Sequence, residues 1–125
     1  MADKRLNGGN QKTAELSITN TVVNLTDADA ATVSKAAECR GFSLYNPNGF
    51  AVYLKIFNGA ASTITLSSNA AAETYELQPN TVTTRPADSP IFINTLMSYA
   101  VTLEAGAGAT SPGTAVTGKI YFGTV

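Results

Sequence analysis

The sequence has no histidine and no tryptophan, and its single cysteine is Cys39. Without histidine the chain cannot build the common Cys/His zinc sites, nor a serine or cysteine nucleophile activated by an imidazole base. A lone cysteine cannot form a disulfide within the chain, so we expect Cys39 to be a small buried or half-buried residue. Any catalysis would have to rest on carboxylates, lysine or tyrosine.

Charged residues and long apolar runs are scarce as well. Charged residues make up 14% of the chain and the formal net charge is −1, whereas ordinary globular chains carry about 25% charge. Affinity for nucleic acid comes largely from cations placed on phosphates, so we expect no nucleic-acid partner. No apolar run approaches the roughly 18 residues of a membrane-spanning helix, and the N-terminus lacks the apolar middle of a signal peptide. We therefore expect a protein made in the cytoplasm, without membrane contact.

Small uncharged residues take the place of the missing charge. A surface of Thr, Ser, Asn, Ala and Gly suits close contact with other proteins, because little charge must be desolvated. The alternative is that such a composition is ordinary for a small β-domain. A chain of 125 residues has the length of one domain.

The first 14 residues are polar and contain too little apolar surface to become ordered alone. We predict a flexible arm over residues 1–14, which either stays loose or folds on a partner, and one domain over residues 15–125. The side chains of the arm that could grip a partner are its basic residues and its one large apolar residue after the initial methionine: Lys4, Arg5, Lys12 and Leu6.

The rest of the chain alternates apolar and polar residues in short runs, separated by turn signals about every 8–12 residues. This pattern predicts an all-β fold, a single antiparallel β-sandwich that is jelly-roll-like. The one stretch that suits a helix is 27–40, where an aspartate cap precedes several alanines. A loop over the sheet edge is the alternative there.

The central stretch from Phe42 to Asn58 contains two alternating runs that flank Asn46-Pro47-Asn48-Gly49. Proline lacks an amide hydrogen and glycine tolerates positive φ, so this break predicts the turn of a β-hairpin. The second run is apolar on both faces, one of which consists of Phe50, Val52, Leu54 and Ile56 and the other of Ala51, Tyr53, Lys55 and Phe57. Such a strand should be covered twice, by the partner sheet and by a neighbouring chain or loop.

Several residues of that central strand and of later strands bear on partners. We expect Lys55 to lie along apolar surface with its amine in water. The five tyrosines either line a carbohydrate groove or belong to the core and to interfaces, and we favour the second interpretation because tyrosine is enriched in interfaces. The residues that we predict for an oligomer interface are aromatic side chains of the strands: Tyr53, Phe57, Tyr99 and Tyr121.

No group of residues in the sequence has the spacing of a chemical site. Asp27 and Asp29 lack the further acids and the glycine of a calcium loop. Glu73 and Glu76 are three residues apart, so on a strand they face opposite sides and cannot form a glycosidase pair. We therefore predict no catalytic residue, no metal site and no cofactor.

Four stretches, YNPNGFAVYLKIFN, YELQPN, SYAVTLEAG and TAVTGKIYFGTV, occur in this order between residues 42 and 125. They resemble a family of small all-β proteins encoded among the structural genes of tailed bacteriophages. The longer polar start and the proline-bounded residues 86–90 depart from the pattern of that family. Its members are capsid decoration (cement) or head-fibre proteins.

The resemblance implies a structural virion protein that is not an enzyme. The expected role is a decoration protein, homotrimeric at local three-fold positions, whose partner is the major capsid protein on the outer surface of a phage head. The expected location is therefore the virion capsid surface, after synthesis in the host cytoplasm. The alternatives are a receptor-binding or glycan-binding domain of a tail or fibre and, more remotely, a hydrolase that uses carboxylates.

Overall fold

The computed structural model describes residues 11–25, 37–85, 91–93 and 96–124. Nine strands form within these ranges, and one short 3-10 turn lies at Ala61–Thr63. The prediction of an all-β chain is confirmed. The strands are β1 (Gln11–Ile18), β2 (Val23–Asn24), β3 (Ala37–Asn46), β4 (Val52–Asn58), β5 (Glu73–Leu77), β6 (Thr81–Arg85), β7 (Ile91–Ile93), β8 (Met97–Thr102) and β9 (Val116–Thr124).

The strands make two antiparallel sheets that pack against each other, which is consistent with the predicted sandwich. Sheet one has the order β1-β9-β3-β6, and β7 pairs with the first residues of β3. Sheet two has the order β2-β8-β4-β5. The strand order of both sheets depends on pairings between strands far apart in the sequence.

The core lies between the sheets and follows the two-residue period of the strands. Both sheets supply large side chains that are at most 1% exposed, as Phe42, Leu44, Ile120 and Phe122 do from sheet one and Val52, Leu54, Ile56 and Val101 do from sheet two. Phe50, expected on the same face as Val52, precedes the strand and is 48% exposed.

Tyr75 closes the edge where β5 of sheet two meets β3 and β6 of sheet one. Its ring packs edge-on against Phe42 with centroids 5.1 Å apart. The guanidinium of Arg85 lies over the same ring, 5.4 Å from the centroid. An edge-on aromatic pair and a cation–π contact each add to the stabilisation that burial alone gives.

The predicted hairpin between the two halves of the central stretch is wrong. Strand β3 pairs with β6, β7 and β9, and β4 pairs with β5 and β8, so the two strands belong to different sheets. Asn46 explains the crossover, because its side chain bonds backbone groups on both sides of the break and at the end of β5. Its Nδ2 donates to the carbonyls of Phe50 and Leu77 at 2.9 and 3.1 Å, and its Oδ1 accepts from the Asn48 amide at 2.9 Å.

Asn48 extends this network to the other end of the chain. Its Nδ2 donates to the Thr114 carbonyl and its Oδ1 accepts from the Thr114 amide, both at 2.9 Å. Both asparagines are buried. The break at residues 46–49 is therefore a crossover between layers, held by side-chain amides.

Two predicted boundaries also change. Strand β1 begins at Gln11, so residues 11–14, including Lys12, lie in sheet one rather than in an arm, because their backbone pairs with β9. Lys4, Arg5 and Leu6 lie outside the described residues. The helical alternative for 27–40 is wrong for Ala37–Arg40, which begin β3, and the rest of that stretch is likewise outside the described ranges.

Candidate functional site

The outward side of sheet two is covered by the chain itself. Phe57 and Ala100 point away from the main core, yet they are fully buried in a second cluster with Leu66. The segment 59–72 holds this position through backbone hydrogen bonds, from Gly59 to the Leu96 carbonyl at 2.7 Å and from Ala72 to the Ile56 carbonyl at 2.8 Å. The second cover predicted for β4 is therefore provided by a loop of the same chain.

The outward side of sheet one, which we call the open face, is not covered by any described loop of the chain. The register aligns Glu15, Lys119, Ser43 and Thr84 in one row across the sheet, and Ser17, Thr117, Tyr45 and Val82 in the next. Tyr45 and Val82 are neighbours across β3 and β6 and are 42% and 55% exposed. Apolar side chains that are exposed next to each other and surrounded by polar residues are a candidate centre for a protein-binding surface.

The charges in these two rows cancel. Glu15 and Lys119 lie directly opposite each other on β1 and β9, and the other members of the two rows are uncharged. Most of them carry a hydroxyl group, and the hydroxyls of Thr84 and Ser43 lie 3.5 Å apart. Little charge would therefore have to be removed from water when a protein binds the open face, and this favours contact with protein.

The structure does not bring the predicted interface residues together. Phe57 is 1% exposed and Tyr99 is 5% exposed inside the monomer, so the prediction is wrong for these two. Segment 59–72 covers Phe57, while Tyr99 points into the core between the sheets. Tyr53 and Tyr121 are half-buried and lie on the outward sides of opposite sheets.

Tyr45, which is 42% exposed on the open face, was missed in the prediction of interface residues. The signal was present, because Tyr45 alternates with Phe42 and Leu44 on β3 and therefore had to point away from the core.

A cavity of about 250 Å³ lies on the covered side of sheet two, between segment 59–72 and loop 103–115. Lys55 lies at its base and is only 3% exposed. The expectation that its amine would be in water is wrong, because loop 103–115 folds over it and the Gly106 carbonyl accepts a hydrogen bond from its Nζ. Burial lowers the pKa of Lys55, and the negative charge of Glu104 partly opposes this shift.

Glu104 fixes the shape of the loop above this lysine. The Thr110 hydroxyl donates to its Oε2, and the Thr110 amide donates to its Oε1 at 3.1 Å. The hydrogen bond from the Thr110 hydroxyl is the main reason why the pKa of Glu104 is lowered, and the charge of Lys55 acts in the same direction. The hydrogen bonds of this loop therefore favour the ionised form of Glu104.

The acidic residues of β5 lie as predicted. Glu73 is in register with Ile56 and Glu76 with Tyr53, so the two carboxylates point to opposite sides of sheet two. Among the described residues, no group of three or more His, Cys, Asp or Glu side chains is placed to hold a metal ion. In the same part of the chain, no helix is long and apolar enough to cross a membrane.

Comparison of the chain with protein-family models, with curated proteins and with solved structures found no match. The geometry of the molecule therefore offers two candidate sites of different kinds. One is the open face of sheet one, and the other is the cavity above Lys55 on sheet two.

Proposed function

We propose that this protein is a structural virion protein, a capsid decoration (cement) protein that binds the outer surface of a tailed-phage head through the open face. The observation that carries the proposal is the exposed pair Tyr45 and Val82 in a row of uncharged hydroxyl side chains. Aromatic residues at the centre and polar groups around them are the usual composition of a protein interface. The resemblance to phage structural proteins supplies the partner, which is the major capsid protein.

The proposal includes a jelly-roll winding of the sandwich. The two strand orders, β1-β9-β3-β6 and β2-β8-β4-β5, support it, because strands adjacent in the sequence repeatedly fall in different sheets. Jelly rolls recur in viral capsid and lectin domains. The winding is therefore compatible with the decoration role and with the glycan-binding alternative.

An N-terminal anchor is the second part of the proposal. Strand β1 is an edge strand of sheet one and begins at Gln11, so the first described residue of the chain lies at the border of the open face. A ten-residue segment can reach roughly 33–36 Å when it is extended. Lys4, Arg5 and Leu6 could then contact a neighbouring capsid subunit, while the open face contacts the first.

Assembly as a homotrimer is the third part. A closed three-fold ring joins two different patches of each subunit. Tyr53 and Tyr121 lie on opposite sheets and satisfy that requirement. Tyr121 is four residues along β9 from Thr117, the partner of Tyr45, which corresponds to about 13 Å along a strand. The residues proposed for the ring and the centre of the shell-binding surface are therefore separate.

Co-sedimentation with empty expanded shells of the phage that encodes this protein tests the proposal. We expect the wild type to bind and the double variant Tyr45→Ser, Val82→Ser to bind at least tenfold more weakly, a loss of about 1.4 kcal/mol. Ser67→Ala is the matched control, because this exposed residue lies on the other side of the molecule, in segment 59–72. Equal binding by the double variant and the wild type would overturn the assignment to the open face.

The glycan-binding alternative has one specific observation in its favour. The exposed ring of Tyr45 could stack on a sugar as well as on a protein surface. Binding to host cells or to host glycan, without binding to shells, would establish this second function in place of the first.

A further inference from the structure

We infer that the cavity on the covered side of sheet two is a binding site for a carboxylate group on a short aliphatic stem, with Lys55 as the cation that receives it. This site is on the opposite sheet from the open face and does not depend on the function proposed above. The inference rests on the unsatisfied amine of Lys55 and on the composition of the cavity wall.

The Lys55 amine has more donors than the protein uses. An ammonium group has three N–H donors, and the Gly106 carbonyl accepts one of them. Within the described part of the chain the amine makes no other hydrogen bond and no ion pair. Both oxygens of Glu104, the acid whose charge acts on Lys55, accept from Thr110 instead. A buried cation with free donors is costly to leave unpaired.

The residues that line the cavity indicate which charge and which polarity a ligand should have. Among the described residues that line the cavity, Lys55 is the one with a charge, so this part of the wall offers a single positive charge. Much of the remaining wall consists of four alanine side chains, which suit an alkyl group: Ala70, Ala71, Ala105 and Ala107. The other lining side chains are polar and uncharged, from Ser68, Asn69 and Thr74.

Charge and volume together select the class of ligand. A carboxylate carries one negative charge and therefore matches one lysine, whereas recognition of a phosphate dianion usually recruits several cations or backbone donors. The cavity of about 250 Å³ is several times larger than the roughly 30 Å³ that one water molecule occupies in the liquid. It can therefore hold a carboxylate and a few methylene groups. The carboxylate can belong to a free short-chain acid or to an acidic side chain of another protein.

A titration of the full chain with butyrate, followed by NMR, tests the inference. We expect saturable shifts of the amides of Ala71, Thr74 and Gly106 and of the Lys55 side chain. The neutral isostere butyramide should bind at least tenfold more weakly, because it brings no charge. Shifts of equal size with both compounds, or no saturable shift with butyrate at millimolar concentration, would overturn the inference.

Two variants locate the site. Lys55→Met keeps most of the length of the side chain and removes the charge, so butyrate affinity should fall at least tenfold. Lys119→Met removes an exposed lysine on the open face and should leave the affinity unchanged. If Lys55→Met does not fold, Ala107→Leu serves instead, because this exposed residue lines the cavity and a larger side chain fills it. Unchanged affinity in the folded cavity variant would contradict the site.

The source of the carboxylate is decided in the same titration with a capped peptide, acetyl-Ala-Glu-Ala-amide. Tighter binding of this peptide than of butyrate assigns the site to an acidic side chain of a protein partner. Binding of butyrate alone assigns it to a free short-chain acid. Failure of both probes overturns the inference, while the function proposed for the open face would still be tested by shell binding.

Discussion

On sheet two, side chains that point away from the core, such as Phe57 and Ala100, lie under segment 59–72, whereas on sheet one the equivalent side chains of Tyr45 and Val82 face solvent. Both sheets alternate in the same way, and both outward sides carry aromatic residues. The difference comes from the connections, because a loop returns over one sheet and none of the described loops covers the other. Residue type alone therefore does not reveal which aromatic residues are available to a partner.

Gly118 provides the largest expected effect, since it lets β9 lie close to β3 under the open face. A β-carbon at this position would stand 2.9 Å from Leu44 Cα and closer still to the Ser43 carbonyl oxygen, and its φ of +143° is unfavourable for other residues. We expect Gly118→Ala to lower the free energy of unfolding by on the order of 4 kcal/mol or more. Chemical denaturation measures this loss.

The matched control for that variant is Gly106→Ala, where an added β-carbon meets nothing within 4 Å. A loss below about 1 kcal/mol is expected for this exposed position. Equal losses for the two glycine variants would mean that the close approach of β9 to β3 is not what holds sheet one together.

Phe57→Ala against Tyr45→Ala tests the comparison of the two faces directly. Phe57 is 1% exposed and Tyr45 is 42% exposed, although both point outward from their sheets. We expect Phe57→Ala to cost about 3–5 kcal/mol, because it leaves a cavity in the second cluster. Tyr45→Ala should change stability by less than about 1 kcal/mol. Similar losses in thermal or denaturant melts would show that the two faces are equally covered.

Asn46→Ala tests the crossover that sends β3 and β4 to different sheets. The substitution leaves the Leu77 and Phe50 carbonyls without their side-chain donor, so we expect a loss of about 1–3 kcal/mol. Asn20→Ala is the control, because its exposed side chain makes one hydrogen bond, to the Ala109 carbonyl at 2.9 Å. If Asn46→Ala lowers the free energy of unfolding no more than the control does, the asparagine network is not the cause of the crossover.

Because of Tyr99, we expect the stability of the protein to change with pH in the alkaline range. Burial raises the pKa of Tyr99 to about 12 from its ordinary value of 10.0. Between these values the unfolded chain loses the phenol proton while the folded chain keeps it, so the stability present below pH 10 is lost as the pH rises toward 12. Tyr99→Phe should remove this part of the loss. Melts of the wild type and of Tyr99→Phe recorded across this pH range measure the difference.

Removal of residues 2–10 should have the smallest effect on stability and a clear effect on binding. Strand β1 begins at Gln11, so the truncated chain keeps every described strand and should melt at the same temperature. Shell binding should weaken if Lys4, Arg5 and Leu6 anchor the protein. The contribution of the two basic side chains to the affinity should decrease as the salt concentration rises. Unchanged binding would leave the open face as the sole contact.

The strands were predictable from the sequence, and their connections were not. Alternation at Val52, Leu54 and Ile56 is a local property, and the structure confirms it. The same turn residues serve a hairpin or a crossover between sheets. What decides between them is the bonding of Asn46 to Leu77 and of Asn48 to Thr114, which lie 31 and 66 residues further along the chain. The residues around positions 46–49 do not indicate these distant partners.

The candidate sites were predictable to a smaller extent, for a similar reason. The burial of Lys55 depends on the Gly106 carbonyl in a loop 51 residues away, so its own strand gave no indication of it. The alternation of β4 places Phe57 on the outward side, as it would a surface aromatic residue, and Phe57 is buried because it packs with Leu66. Tyr45, in contrast, could have been found from alternation alone, because its exposure needs no distant partner.

The position of β9 has a consequence for the order in which the protein can fold. This strand lies between β1 and β3 and pairs with both, yet it is the last strand of the described chain. Residues 11–18 therefore cannot pair with β9, their partner among the described strands, until about a hundred further residues have been synthesised. Pairings between such distant segments fold slowly, because loop closure precedes the contacts that reward it. On the ribosome, sheet one can become complete only when synthesis has passed residue 124, so its apolar side stays accessible to chaperones until then.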